Sequence, residues 1–194
     1  MSTVHASTLR RYDPVAVFLH WAIALLIIVM IPVGLTMEDW PIAWRFQAIN
    51  LHKATGICIL ALSVFRLIWR LMNPAPALPD GMPGWQRWAA HLSHWLLYAF
   101  IILMPLSGWL MVSASAKYPI VFFGVGEAPF LPMPADAALT KFIGGLAHEV
   151  HEYFGFVAIA LILVHLGAAL KHHLVDRDAV LVRMLPRFLT QRGE

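Results

Sequence analysis

Four long apolar runs restrict what this chain can fold into more than any other feature. Each run is long enough, at about 1.5 Å of rise per residue, to cross a hydrocarbon layer about 30 Å thick as a helix. The 194-residue chain is 60% hydrophobic and only 13% charged, whereas soluble domains average about 45–50% and about 25%. The sequence therefore predicts an all-α protein, a transmembrane four-helix bundle that forms a single membrane domain over residues 1–194. The predicted spans are about 15–37, 51–72, 88–112 and 148–170.

The connections between these spans are unequal in length. The segment 38–50 is a short link, and 73–84 is a loop rich in proline and glycine. The segment 113–145 is the longest connection, and it contains a short apolar stretch, 119–124, that glycine interrupts. This stretch is too short to cross a bilayer. We expect the loop to lie on the outer membrane surface.

The distribution of lysine and arginine predicts the orientation, because cytoplasmic loops carry an excess of both residues. With four spans, ten of these residues fall on one side and four on the other, so both termini are predicted to be cytoplasmic. The ten are Arg10, Arg11, Arg66, Arg70, Arg87, Lys171, Arg177, Arg183, Arg187 and Arg192, and the four are Arg45, Lys53, Lys117 and Lys141.

The composition argues against cysteine-based sites and against a nucleic-acid partner. Cys58 is the only cysteine, so neither an intramolecular disulfide nor a thiolate metal site is expected. The net charge of +3 accompanies no basic face or nucleic-acid motif, so no nucleic-acid partner is predicted. Most of the eight tryptophans fall near predicted span ends, which is typical of a membrane interface.

Histidines inside the apolar runs are the candidate functional residues. His151 and His165 are fourteen residues apart, which places them on one helix face and about 21 Å apart along its axis. In the predicted topology His20 lies at the depth of His165, and His52 lies at the depth of His151. Each pair joins two helices, which suits two stacked haems inside a bundle, each with two axial imidazoles.

A small residue follows each of these four histidines after one helical turn, where a porphyrin would need room. The four are Ala24, Gly56, Gly155 and Ala169. The other six histidines have larger residues at that position. An alternative is that the histidines hydrogen-bond neighbouring helices. Zinc or copper is a weaker alternative, because each pair offers only two imidazoles and no nearby ligand completes a set.

Several lesser features carry two interpretations each. Arg66 and Arg70 could pair with propionates of the haem on the cytoplasmic side (the inner haem), and Lys53 with those of the haem on the other side (the outer haem). The alternative is that these cations extend to the membrane surface without any partner. His91 and His94 are either polar anchors or contacts for a quinone or a propionate. His148 is expected to face water. Gly34 and Gly108 admit either a ring or a close helix, and the sequence does not separate these.

At these residues the chain resembles the bacterial cytochrome b561 family of small di-haem membrane proteins, over about residues 10–187. Each matching piece is short, but together they are specific. The pieces are Arg11-Tyr12, Leu19-His20-Trp21, Leu51-His52-Lys53-Ala54-Thr55-Gly56, Arg66-Leu67-Ile68-Trp69-Arg70, Ala90-His91-Leu92-Ser93-His94, Pro105-Leu106-Ser107-Gly108-Trp109, His151-Glu152 with His165, Ala168-Ala169-Leu170-Lys171-His172-His173, Arg177-Asp178 and Arg183-Met184-Leu185-Pro186.

The resemblance implies two non-covalent haems b, with His20, His52, His151 and His165 as axial ligands, in a bacterial inner membrane. It also implies electron exchange with a membrane quinone such as ubiquinone, and in some members oxidation of superoxide. We therefore predict a transmembrane electron-transfer protein, with His20 and His165 at an inner haem iron and His52 and His151 at an outer one. Two alternatives remain at this point: a haem-bearing anchor subunit of a periplasmic redox enzyme, and a haem-free membrane carrier.

Overall fold

The structure is a computed structural model that describes residues 11–79, 81–186 and 188. It is mostly helical. Three of the basic residues used to predict the orientation, Arg10, Arg187 and Arg192, lie outside the described residues. In chain order the elements are α1 (Pro14–Thr36), a 3₁₀ turn (Met37–Asp39), α2 (Ile42–Met72), α3 (Gly84–Ser115), β1 (Ile120–Phe122), β2 (Gly126–Ala128), α4 (Ala137–Lys171), a π-helical turn (His172–Asp176) and α5 (Val180–Met184).

Local chemistry fixes where the long helices begin and end. The Asp13 carboxylate accepts a hydrogen bond from the Val15 amide and Pro14 occupies the first helical position, so α1 has the usual signals of a helix start. Asp136 caps α4 in the same way, through the Leu139 amide. Helix α3 ends where Ala116 adopts a left-handed conformation with φ of 48°, which turns the chain out of the helix.

The four long helices are long and apolar enough to cross a membrane. Successive helices pack against one another, α1 on α2, α2 on α3 and α3 on α4. In their most apolar windows only 0% to 17% of residues are buried inside the protein, so most of the apolar side chains point outward. An apolar exterior of this extent suits lipid and not water.

At one end of the bundle, hydrogen bonds join residues near the start and near the end of the described chain. The Arg11 guanidinium donates to the carbonyls of Val182 and Leu185, at 2.9 and 3.0 Å, and the Trp21 indole donates to the Met184 carbonyl at 2.9 Å. Arg183 on α5 donates to the Ala77 carbonyl, in the loop between α2 and α3, at 2.6 Å. Residues 11 and 182–185 therefore lie at the same end of the bundle.

The opposite end carries a small antiparallel hairpin, formed by β1 and β2. Its Ile120 is 2% exposed and packs with Ala54 of α2 and Val112 of α3. The Asn50 side chain bonds both backbone groups of Val121, donating to its carbonyl at 2.9 Å and accepting from its amide at 3.0 Å. The hairpin is therefore docked on the ends of α2 and α3. Its predicted position on the membrane surface stays a prediction.

The helices extend beyond the apolar runs that predicted them. Helix α2 begins at Ile42, inside the predicted link 38–50, and α4 begins at Ala137, well before the predicted 148. The long connection is therefore only residues 116–136, and it contains two short strands that the all-α prediction did not include. The reason is physical: hydropathy marks the part of a helix that suits lipid, whereas α2, at about 46 Å, is longer than the apolar layer.

The Asn50 contact generates a testable prediction about the hairpin. Asn50→Ala removes both hydrogen bonds to Val121, at a net cost of about 1–3 kcal/mol. We expect the Val121 amide to exchange with deuterium about fivefold to a hundredfold faster, because each 1.4 kcal/mol is about tenfold. Asn50→Asp is the matched control, since its carboxylate still accepts from the Val121 amide. Unchanged exchange in Asn50→Ala would show that the hairpin is held by apolar contacts alone.

Candidate cofactor site between the helices

Two pairs of imidazoles face each other between helices, and we call them inner and outer after the predicted orientation. The inner pair is His20 on α1 and His165 on α4, with ring centres 6.2 Å apart and ring planes at 67°. The outer pair is His52 on α2 and His151 on α4, with ring centres 6.3 Å apart and ring planes at 77°. The structure thus brings together the two pairs that the depth argument predicted.

The spacing within each pair fits two imidazoles on opposite sides of one metal ion. A bond from a first-row metal to an imidazole nitrogen is about 2 Å, and the nitrogen lies about 1 Å from its ring centre, so two trans ligands place their ring centres about 6 Å apart. Both observed separations agree with that value. Direct hydrogen bonding between the two rings would need their nitrogens at about 3 Å, and neither pair makes such a bond within the described residues.

The His151 ring is oriented by α3. Its Nδ1 lies 3.0 Å from the Met104 carbonyl oxygen and 3.1 Å from the Ser107 hydroxyl, and that hydroxyl also donates to the Met104 carbonyl at 2.7 Å. A proton on Nδ1 therefore bonds the carbonyl and leaves Nε2 unprotonated. A metal-binding histidine usually has this arrangement, in which the second ring nitrogen donates to a carbonyl and fixes the tautomer.

His52 lacks such an anchor. Its Nδ1 is buried and has no hydrogen-bond partner among the described residues. A buried polar atom that the protein leaves unpaired costs about 1–3 kcal/mol. Of the outer pair, therefore, His151 has its tautomer fixed by a hydrogen bond from the described residues, whereas His52 does not.

Two glycines make room for the outer imidazoles. A Cβ added to Gly34 on α1 would lie 2.8 Å from Cε1 of His52, and a Cβ added to Gly108 on α3 would lie 3.0 Å from Cε1 of His151. Both distances are shorter than ordinary van der Waals contact. The two interpretations left open for Gly34 and Gly108 are thereby resolved: each glycine admits the ring of a histidine from a neighbouring helix.

The small residues one turn after each histidine border open space. A Cβ added to Gly56 would meet no atom within 4 Å, and one added to Gly155 would meet only the Met104 methyl, at 3.7 Å. Ala24 and Ala169 are half-buried. The space beside Gly56 and Gly155 is compatible with the room that a porphyrin ring needs. The role of the four small residues in haem binding stays a prediction.

Two of the three cations expected near the haems, Arg66 and Lys53, have different surroundings. Arg66 donates to the Ala16 carbonyl at 2.7 Å and lies over the Tyr98 ring, 5.8 Å from its centre. It also lies within electrostatic range of the inner histidines. Lys53 donates to the carbonyls of Tyr118 and Pro119, each at 3.3 Å. Lys53 therefore holds the long outer loop, and Arg66 remains the cation closer to a histidine pair.

His94 is the residue whose position the sequence did not reveal. Its ring centre on α3 lies 5.8 Å from that of His165, with ring planes at 62°. The sequence indicated only that His94 lies in the first turns of the third span, as a polar anchor or as a contact for a quinone or a propionate. Which neighbour it faces depends on the rotation of α3 against α4, which sequence spacing does not report.

The remaining described histidines are elsewhere. His91 and His148 are exposed. The predicted fourth span begins at residue 148, whereas α4 begins at Ala137, so His148 lies inside the helix. His172 bonds the carboxylates of Asp178 and Asp176, at 2.6 and 3.1 Å. Lys171 also binds Asp176, at 2.6 Å, so these four side chains at the end of α4 bond one another.

Comparison with known proteins identifies the family. The sequence model described as prokaryotic cytochrome b561 matches residues 11–187. The chain is 33% identical to cytochrome b561 homolog 2 of Escherichia coli K12 over 190 residues, which cover 96% of this chain and 97% of that protein. It is 30% identical to cytochrome b561 homolog 1 of the same organism over 92% of this chain and 99% of that protein. It is 25% identical to the probable superoxide oxidase CybB of Yersinia pestis, over 92% of this chain and 97% of that protein.

A family match of this extent implies a multi-pass membrane protein that binds haem b. Both pairs of imidazoles are chemically suited to that group. The chain therefore belongs to the prokaryotic cytochrome b561 family of membrane electron-transfer proteins.

Proposed function

We propose that the chain is a di-haem b protein that moves single electrons across a bacterial inner membrane. His20 and His165 hold the inner haem, and His52 and His151 hold the outer haem. The observation that carries this proposal is the separation within the two pairs, 6.2 and 6.3 Å, which suits one metal ion between each pair of rings. When bound, each haem supplies an iron that accepts and releases one electron.

The residues of this chain determine how such a group is held. The Met104 carbonyl and Ser107 keep Nδ1 of His151 protonated and leave Nε2 free. Gly56, Gly155, Ala24 and Ala169 leave room beside the ligands. A haem held by two imidazoles of the chain would be suited to electron transfer and not to oxygen binding.

Arg66 is the proposed partner of the inner propionates, because it is half-buried close to the inner histidines and has no carboxylate partner among the described residues. Lys53 is a weaker candidate for the outer propionates, since two loop carbonyls already accept from it. An arginine binds a carboxylate through two parallel hydrogen bonds.

We place both termini in the cytoplasm. The excess of lysine and arginine at one end supports the cytoplasmic side. The hydrogen bonds of Arg11 to Val182 and Leu185 support one common side for residues 11 and 185. A fluorescent protein that folds only in the cytoplasm, fused to the C-terminus, measures the orientation directly. A dark fusion at normal expression would reverse our assignment.

The haem content tests the first part of the proposal. We expect the purified protein to contain two haems b per chain, measured as the pyridine haemochrome. His165→Ala should contain one, because it removes a ligand with no equivalent on α4 at that depth. His91→Ala is the control, since His91 is exposed, and it should keep both. A colourless wild-type protein, or loss of haem in His91→Ala alone, would contradict the assignment.

The close approach of Gly34 to His52 gives a sharper test of the outer site. Gly34→Ala places a methyl 2.8 Å from Cε1 of His52, and overpacking of this kind typically costs about 1–3 kcal/mol. We expect loss of the outer haem or a shifted low-spin electron paramagnetic resonance signal. Gly167→Ala is the matched helical control, because its Cβ meets no atom within 4 Å. Equal spectra in both variants would remove Gly34 from the outer site.

The electron partners are tested separately. We propose a membrane quinone such as ubiquinone as the inner partner. Full reduction of a quinone takes two electrons and two protons, and the electrons can arrive one at a time. The name of one relative, probable superoxide oxidase, makes superoxide the first outer donor to test. We expect superoxide to reduce the haems and a short-chain ubiquinone to reoxidise them, both followed by the α-band in a stopped-flow instrument. His52→Ala should abolish the first step and retain the second. Failure of ubiquinone to reoxidise the wild-type haems would exclude it as the acceptor.

A further inference from the structure

His165 faces two imidazoles and not one. The ring of His20 on α1 lies 6.2 Å from it, and the ring of His94 on α3 lies 5.8 Å from it, with similar angles of 67° and 62° between the planes. Both distances are close to the roughly 6 Å that separates the ring centres of two imidazoles on one metal ion. Distance alone therefore does not distinguish His20 from His94 as the partner of His165.

None of these three rings is hydrogen-bonded to a protein group within residues 11–79, 81–186 and 188. A histidine that serves only to join helices inside a membrane is expected to make such a bond. His94 is exposed, so its ring is accessible to a group placed beside His165. The close packing of α3 on α4 keeps the two rings near each other.

We propose that His94 is a reserve axial ligand of the inner haem, which binds the iron opposite His165 when His20 does not. The inference rests on the proposed function, because it assumes that the inner pair holds haem. In the exchange, the bond from iron to the His20 nitrogen breaks and a bond from iron to the His94 nitrogen forms. Both imidazoles are neutral, so no proton or electron moves.

The outer pair is the internal comparison. Within the described residues, no third imidazole ring makes a contact with His52 or His151, and the nearest other histidine on α4, His148, is exposed. The two sites should therefore respond differently to loss of one ligand. The inner site keeps two ligands after removal of His20, whereas the outer site keeps one after removal of His52.

Four variants test this difference through haem content and spin state. We expect His20→Ala and His94→Ala each to keep two low-spin haems per chain, measured by pyridine haemochrome and electron paramagnetic resonance. His52→Ala should lose one haem, and the double variant His20→Ala with His94→Ala should also lose one. Helical circular dichroism and a monodisperse elution profile establish that each variant is folded. Added imidazole should restore the second haem in the double variant, which shows that the space for it remains.

Two results would overturn the proposal. One is a His20→Ala protein that holds a single haem, or an inner haem that becomes high-spin, since His94 then fails to replace His20. The other is a double variant that keeps two low-spin haems. The first result, with two haems in the wild type, leaves the proposed function intact. The second also removes His20 from the proposed inner site. A wild-type protein without haem b would instead remove both proposals together.

Discussion

Imidazoles placed inside an apolar helix bundle are the constraint on which the rest of this structure depends. A polar ring away from water must find a partner, or the fold loses about 1–3 kcal/mol for each one. Here the rings meet ring to ring across helices, at 6.2 and 6.3 Å, and not as hydrogen-bonded pairs. Helix α4 supplies one member of each pair, so it must face α1 near one end and α2 near the other.

Helix α3 supplies no predicted ligand, yet it determines the surroundings of both ligands on α4. The Met104 carbonyl and Ser107 orient His151, and Gly108 makes room for its ring. Near the other end of α3, His94 lies beside His165. The packing of α3 on α4 therefore gives the two sites different character: one ligand is fixed by hydrogen bonds, and the other has a neighbouring imidazole.

The ends of the bundle are closed by irregular segments that hydrogen-bond the helices. At one end Arg11 and α5 join the start of α1 to the loop between α2 and α3. At the other end Asn50 holds the hairpin, and Lys53 holds the irregular segment just before it. Backbone groups in such segments need partners near an apolar layer, and polar side chains at the helix ends supply them.

The sequence by itself determined the four apolar spans and the pairing of the histidines by depth, because both depend on distance along a helix. It also determined the family, through short motifs spread over nearly the whole chain. It also predicted room beside the ligands through residues such as Gly56. The tertiary structure alone decided that α2 begins as early as Ile42, that Gly34 and Gly108 contact ligand rings, and that His94 lies beside His165. Hydropathy does not mark the part of a helix that extends beyond the apolar layer, so it did not reveal where α2 begins. The contacts of Gly34, Gly108 and His94 depend on how each helix is rotated against its neighbours, and spacing within one helix carries no information about that rotation.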